Sequence, residues 1–393
     1  MIKSDVAGRR PIRVLHVTPT YYPATKFGGP IFSTKAICDG LGRSSEVELR
    51  VLTTDSASPN SRERVGISNE VKSFNAGYTV RYCRRDAFVS ISSSLLYHLI
   101  SAVRWSEIVH LTATYSFPTL PTLLLARLFG KPVVWSPRGG LQATAQWEGA
   151  PNKVLKRTFE RLAQVLRPAR TTLHVTAALE AELSRDRLQG IGARVIPNII
   201  EIPELPAKRE WRRGGLLRLM FISRLHPKKG LEDLLSAMAK LPEHVHLSIY
   251  GSGAQDYVEQ LRALAASFGI MNRVTFHGHV NGSAKFQAFM DADAFCLPTH
   301  SENFGIVVGE ALAHGLPAIS TTGAPWEGLD IHECGYWVPQ GSESLATAIR
   351  RLETDDLAEM GRRGRNWMAQ EFSSEAATAS MLNLYRQSIY AKS

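Results

Sequence analysis

The chain is poor in the features that would tie it to a metal, a disulfide framework or a membrane span. Its 393 residues hold four cysteines, Cys38, Cys83, Cys296 and Cys334, scattered without paired spacing. Neither a zinc site nor a disulfide framework is signalled, and buried free thiols are the expectation. No uncharged apolar stretch reaches the roughly 18 residues that cross a bilayer. The longest candidate, around 120–129, is interrupted by Pro121 and Arg127, and the N-terminus (Lys3, Asp5, Arg9, Arg10) lacks an apolar signal core. A cytoplasmic protein is expected, with any membrane contact peripheral, on the inner face. There are no internal repeats and no low-complexity tract. Tyr250-Gly251-Ser252-Gly253 lacks the third glycine of a dinucleotide fingerprint, since Asp256 stands there, so a plain strand-to-helix turn is the better reading. No Ser–His–Asp spacing or nucleophilic cysteine stands out, and no metal site is expected.

What is present is apolar content and positive charge. At 44% hydrophobic residues the chain is long enough for two cores, with two domains of about 200 residues each as the prior. The formal charge of +10 favours anionic partners such as nucleotide sugars, lipid phosphates or nucleic acid, and charge alone does not choose among them.

Short apolar runs alternate with helix-like stretches along the whole chain. Strands are expected at 12–18, 47–53, 108–112, 132–136, 172–175 and 194–196, with helices at 31–41 and 119–129 among them. A Pro- and Gly-rich segment with a charged cluster at 208–213 reads as a linker within 199–215. The alternation restarts with strands at 216–223, 245–250, 274–277, 294–297, 317–320 and 336–338, and helices at 231–241 and 255–268. This predicts an α/β protein of two Rossmann-like doubly wound domains facing across a cleft, which would hold its ligand at the carboxyl ends of the strands. The expected bounds are 1–205 for the first domain and 206–372 for the second. A C-terminal helix at 373–393 is expected to return to the first domain.

The most informative segment is Glu302-Asn303-Phe304-Gly305-Ile306-Val307-Val308-Gly309-Glu310. Gly305 closes a loop and the residues after it have helical composition, so Glu302 should precede a helix and Glu310 stand about two turns inside it. Free first-turn amides suit an anion, and the carboxylates can accept hydrogen bonds from sugar hydroxyls. At the first strand end of the second domain, Arg224 and Lys229 suit a diphosphate whose negative charge grows as it departs. Taken alone they could equally be solvated surface cations. Gly28-Gly29 marks the corresponding strand end of the first domain, where backbone amides could approach a phosphate closely, or form an ordinary tight turn.

Residues 152–167 place Val154, Leu155, Phe159, Leu162, Val165 and Leu166 on one helical arc, opposite Lys153, Lys156, Arg157, Arg161 and Arg167. The commoner expectation is that this arc packs on its own domain; the other is contact with an anionic membrane surface holding a lipid-linked acceptor. His16, inside an apolar strand, reads as a satisfied core residue. His110, at a strand end, is closer to where a cleft should open.

These residues resemble the signature of the GT4 family of retaining GT-B glycosyltransferases, the glycosyl transferases group 1. The resemblance extends over most of the chain. It takes in the loop to Gly28-Gly29, Ser136-Pro137-Arg138-Gly139-Gly140-Leu141, Thr176 with Glu180, Pro197-Asn198, 224–230, Gly251-Ser252-Gly253, His277-Gly278, 302–317 and 326–338. It implies transfer of a hexosyl group from a nucleotide diphosphate sugar to a hydroxyl of a lipid-linked or polysaccharide acceptor. The anomeric configuration would be kept, with no metal and no cofactor beyond the nucleotide sugar as co-substrate. The resemblance also implies that the first domain is the acceptor-side one and that the second binds the nucleotide sugar. Glu302, Arg224 and Lys229 are the implied catalytic residues. The implied donor site comprises Gly28, Gly29, Arg224, Lys229, Glu302, Asn303, Phe304, Gly305, Ile306 and Glu310, with Glu310 on the ribose hydroxyls. Expected partners are the donor, a glycan or lipid-linked acceptor and an anionic membrane through 152–167, but not nucleic acid. The chain departs from the family at Arg138 and Thr112, where members often have histidine. Arg138 could bind an anionic substrate group or brace its loop, and Arg138 and His110 are the candidate acceptor or sugar contacts. A nucleotide-sugar epimerase or glycogen-type phosphorylase on the same scaffold is disfavoured by the cation and carboxylate segments. An inactive accessory subunit would have no need of Arg224, Lys229, Glu302 and Glu310 together.

Overall fold

The computed structural model describes residues 10–59, 61–142, 152–185, 187–206 and 209–390. Lys3, Asp5, Arg9 and Lys208, named above, lie outside them. The chain divides into two units, Met1–Ile199 with Ser374–Ser393, and Ile200–Ser373. This break falls a few residues before the expected one for a local reason. Ile200 is buried in the second unit's core, and its amide donates to Phe372 O at 2.8 Å, pairing the segment that enters that unit with the one that leaves it.

In the first unit the elements run β1 (Ile12–Val17), α1 (Gly29–Arg43), β2 (Val47–Thr54), β3 (Glu70–Phe74), β4 (Tyr78–Cys83), α2 (Ser93–Trp105) and β5 (Ile108–Thr112). They continue as α3 (Thr119–Leu128), β6 (Val133–Ser136), α4 (Lys153–Leu166), β7 (Thr171–Val175), α5 (Ala178–Ser184) and β8 (Gly192–Val195). The sheet order is β3-β4-β2-β1-β5-β6-β7-β8, with β3 antiparallel to β4 and the other pairs parallel. Successive residues of β1 feed opposite cores, Val14 one side and Leu15 and Val17 the other, as a strand covered on both faces requires. The order reverses at β1, between β2 and β5.

The second unit comprises β9 (Leu217–Ile222), α6 (Leu231–Met238), β10 (Val245–Tyr250), α7 (Gln255–Ser267), β11 (Val274–Gly278), α8 (Gly282–Asp291) and β12 (Ala294–Leu297). It continues as α9 (Ile306–Ala313), β13 (Ala318–Thr321), α10 (Gly328–Ile331), β14 (Gly335–Val338), α11 (Ser342–Arg351) and α12 (Leu357–Glu371). Its sheet is parallel throughout, in the order β11-β10-β9-β12-β13-β14. That is the doubly wound nucleotide-binding order, and its switch point lies between β9 and β12.

The last helix, α13 (Ser374–Tyr390), belongs to the first unit and packs on α1, β5 and β6. A Cβ at Gly40 of α1 would stand 2.2 Å from Thr378 Oγ1, so only glycine lets the two helices approach this closely.

The helix at 152–167 departs from the commoner expectation. α4 buries Glu160 and Ala163, while Val154, Leu155, Leu162 and Val165 are 80%, 67%, 47% and 63% exposed. The cause is polar: the Glu160 carboxylate accepts from the Tyr115 hydroxyl and pairs with Arg187 at 3.4 Å. Burying that network turns most of the apolar arc outward.

Candidate functional site

In the second unit, the loops leaving β9 and β12 meet at the sheet's switch point. Gly230, at φ +66°, is needed there because a Cβ would stand 2.0 Å from the Pro298 carbonyl oxygen. The same approach lets the Lys228 carbonyl accept from the His300 amide at 2.8 Å and from Thr299 Oγ1 at 2.9 Å. So tied, the loops bring the Lys229 ammonium, 9% exposed, into an ion pair with the Glu302 carboxylate.

The turn after Glu302 is braced from beneath. The Glu302 amide donates to Gly323 O at 2.7 Å, and Trp326 Nε1 donates to Phe304 O at 2.5 Å. The Phe304 ring is buried against Trp326 and Phe372, so this side chain is part of the core. Gly305 adopts φ +77° to start α9, with no side chain capping the helix. The start of α9, with the positive end of the helix dipole, therefore follows Glu302 by four residues in sequence.

Glu310 stands about one turn into α9 rather than two, because the helix begins at Ile306. Both its carboxylate oxygens accept from Lys285 Nζ, at 2.7 Å each. Lys285 was not anticipated. It sits on α8, a helix with no clear period in the sequence, and a lone lysine near a helix start is a weak signal. Arg224, just beyond β9, is exposed and makes no hydrogen bond or ion pair among the described residues. Its loop is positioned by the 251–253 turn, where a Cβ at Gly251 would meet Ser223 O at 1.8 Å and one at Gly253 would meet Leu225 O at 2.2 Å. Those glycines serve backbone approach, as a plain turn does.

Of the predicted residues, Lys229 and Glu302 are thus in contact, Glu310 is held by a second lysine, and Arg224 extends freely. Gly28 and Gly29 lie in the first unit, where Gly28 has φ +78° with open space around its Cβ position and α1 begins at Gly29.

His110 is not a substrate contact. It is fully buried, with Nδ1 on the Tyr385 hydroxyl and Nε2 on Ser136 Oγ, both at 2.7 Å, and it stacks on His16 at 4.3 Å. His174 completes the cluster, with Nδ1 at 2.7 Å from Ser136 Oγ and Nε2 at 2.9 Å from Ile196 O. A carbonyl only accepts, so His174 Nε2 carries a proton and the order runs backward through the chain. Ser136 donates to His174, His110 Nε2 donates to Ser136, and Tyr385 donates to His110. His16 meets Thr112 Oγ1 at 2.8 Å, as a satisfied core residue. Burial, then the charge of Arg138, holds His16 and His174 down at about 3, and burial puts His110 well below its ordinary value. The cluster is neutral.

Among the described residues no group of three or more His, Cys, Asp or Glu could hold a metal ion, and the four cysteines are free and buried. No helix is long and apolar enough to cross a membrane among the described residues.

Residues 207–367 match the family model of glycosyl transferases group 1. An uncharacterized glycosyltransferase of Methanocaldococcus jannaschii is 33% identical over 35% of this chain and 36% of its own length. A phosphatidyl-myo-inositol mannosyltransferase of Mycobacterium leprae is 32% identical over 49% of this chain and 53% of its own. The chain thus spans about half or less of the curated relatives it matches. Among solved structures, HepE of Anabaena, in complex with UDP, superposes with a TM-score of 0.71 over 96% of this chain and 100% of that one, at 15% identity. That likeness shows the fold. The two doubly wound sheets are those of the GT-B fold, and the unit that holds Arg224, Lys229, Glu302 and Glu310 is the part of the chain that matches the glycosyl transferases group 1.

Proposed function

We propose that the protein is a retaining, metal-independent hexosyltransferase that moves a sugar from a nucleotide diphosphate sugar to a hydroxyl of a lipid-linked or polysaccharide acceptor in cell-surface glycan assembly. The observation that carries this reading is the junction at the β9/β12 switch point, where tied loops present Lys229, Glu302 and the open start of α9 together. Glu310, oriented by Lys285, is the acceptor for the ribose hydroxyls. Arg224 and Lys229 take the diphosphate, with Lys229 exchanging its bond to Glu302 for one to phosphate. Glu302 then faces the donor sugar. The bond from the anomeric carbon to the β-phosphate oxygen breaks with its electron pair going to the phosphate. The acceptor oxygen attacks the same sugar face, and its proton passes to the leaving diphosphate. The two cations lower the barrier because their charges are in place before negative charge develops. HepE, which shares the fold, was solved with UDP, which supports a nucleotide donor.

A screen of nucleotide diphosphate sugars, read as release of the free nucleotide diphosphate with and without lipid-linked acceptors, tests this. Acceptor-dependent release with one donor is expected; no release from any donor by the folded protein contradicts it.

The acceptor side is read from α4. Its exposed Val154, Leu155, Leu162 and Val165 adjoin α3, where Leu124 and Leu128 are also exposed, and Lys153, Lys156, Arg157 and Arg161 share the helix. An apolar face flanked by cations suits an anionic lipid surface presenting the acceptor. Cosedimentation with phosphatidylserine-containing vesicles should therefore fall with added salt, with K153E/K156E/R157E, and with Leu155→Asp. Salt-independent or absent binding removes membrane contact.

A further inference from the structure

We propose that Arg138 is the seat of an oxyanion subsite in the first unit, taking a carboxylate or phosphate group borne by a substrate. This rests on the glycosyltransferase reading for its biological ligand but not for its chemistry. Arg138 follows β6 with φ +53°, a left-handed conformation that is unfavourable for a side-chain-bearing residue and persists only where the surroundings fix it. They do so here. The Gly139 amide donates to Glu180 Oε1 at 2.6 Å, and Glu180 Oε2 takes the Thr176 amide and hydroxyl at 2.8 Å each. A Cβ at Gly140 would meet Thr114 Oγ1 at 2.9 Å and Pro137 O at 3.0 Å, so the loop has no slack.

The guanidinium held this way is incompletely used. Nη1 donates to Asn198 Oδ1 at 2.8 Å, whereas Nε and Nη2 are closed to solvent and have no partner. Those two nitrogens share one edge, and their parallel N–H bonds match the two oxygens of a carboxylate or phosphate. Other enclosed guanidinia with an orphaned nitrogen are bonded elsewhere: Arg273 to the Pro242 and Met238 carbonyls, Arg212 to those of Leu352 and Asp355, Arg187 to Glu160. Arg138 has one neutral acceptor only. Its aromatic neighbours are no help, since burial and the Arg138 charge keep His16 and His174 uncharged. The nearby acid, Glu180, has both oxygens on Gly139 and Thr176. A cation so enclosed, without an ion-pair partner, is costly unless a ligand anion completes it.

The test separates this from the donor site by working in a Lys229→Ala background and using simple probes, glucuronate and inorganic phosphate, followed by calorimetry and thermal shift. At least one probe should bind and raise the melting temperature, and Arg138→Met should weaken it about tenfold or more, with Arg138→Lys intermediate because the point charge remains and the fork is lost. If Arg138→Met does not fold, Asn198→Asp serves instead. A carboxylate beside the guanidinium should raise the melting temperature while weakening the probe, whereas an arginine that only braces its loop would leave probe affinity unchanged. Equal affinity in parent and variant, or no binding of either anion to the folded parent, overturns the proposal. Two kinetic arms identify the source. Sensitivity to Arg138→Met confined to uronate donors places the anion on the donor; sensitivity confined to the KM of phosphate-bearing acceptors places it on the acceptor. If no donor is turned over, the glycosyltransferase reading fails while the anion measurement still stands.

Discussion

Lys229→Ala and Glu310→Ala should each lower turnover about a hundredfold, the loss that follows removal of one preorganised charge-stabilising group. The two changes act differently. Lys229 pairs with Glu302, and in the proposed reaction it also neutralises the departing diphosphate. Its loss removes a donor of hydrogen bonds and leaves an unneutralised carboxylate at the place where negative charge develops. Glu310→Ala removes the proposed acceptor for ribose hydroxyls and leaves Lys285 without its carboxylate. Glu310→Gln should be milder, since the amide oxygen still accepts one hydroxyl. Steady-state kinetics on folded variants, checked by circular dichroism, decide this, and near-normal transfer by either alanine variant overturns its assigned role.

The second large effect is on stability as the pH falls. His16 and His174 have folded-state values of about 3, and His110 lies well below its ordinary value. Burial is the chief cause in each case. A depressed value means that the unfolded chain binds protons the folded chain refuses. Stability is therefore full above pH about 6.5 and is lost as pH falls from there toward 3, by up to roughly 1.4 kcal/mol per pH unit for each histidine. The urea midpoint of the first unit should drop clearly between pH 7.5 and pH 5, and His174→Gln should flatten that dependence. A midpoint unchanged over this interval contradicts the neutral cluster. His314 on the second unit, held at about 4 mainly by burial, predicts a weaker trend of the same sign there.

The parallel strands were legible because a strand covered on both faces is written as a short run of β-branched and apolar residues, as in β1, β5 and β12. The β3–β4 pair was not. β3 is almost wholly exposed and mixes Glu70, Lys72 and Ser73 with only Val71 and Phe74, so its apolar signal is weak and it gains its place from pairing with β4. α4 has a clear period, but its commoner reading packs the apolar arc inward, because Tyr115 and Arg187, which hold Glu160 in the interior, are distant in sequence. The two-carboxylate segment and the Lys229 loop could be named from residue types alone. Their partners could not: Lys285 of α8 meets Glu310 of α9 only in the folded unit, and His110, at a strand end in sequence, is bonded to Tyr385 of the C-terminal helix 275 residues away. Arg138 could be posed as a question by sequence, and its unpartnered edge is a fact of three dimensions.

The central claim, that the second unit grips a nucleotide diphosphate through Lys229 and Glu310, is tested most directly by calorimetric titration of UDP, GDP and ADP into the parent protein, Lys229→Ala and Glu310→Ala. One of these nucleotides should bind the parent at a single site and bind each variant about tenfold or more weakly. Failure of all three to bind the folded parent, or equal affinity in parent and variants, would contradict it.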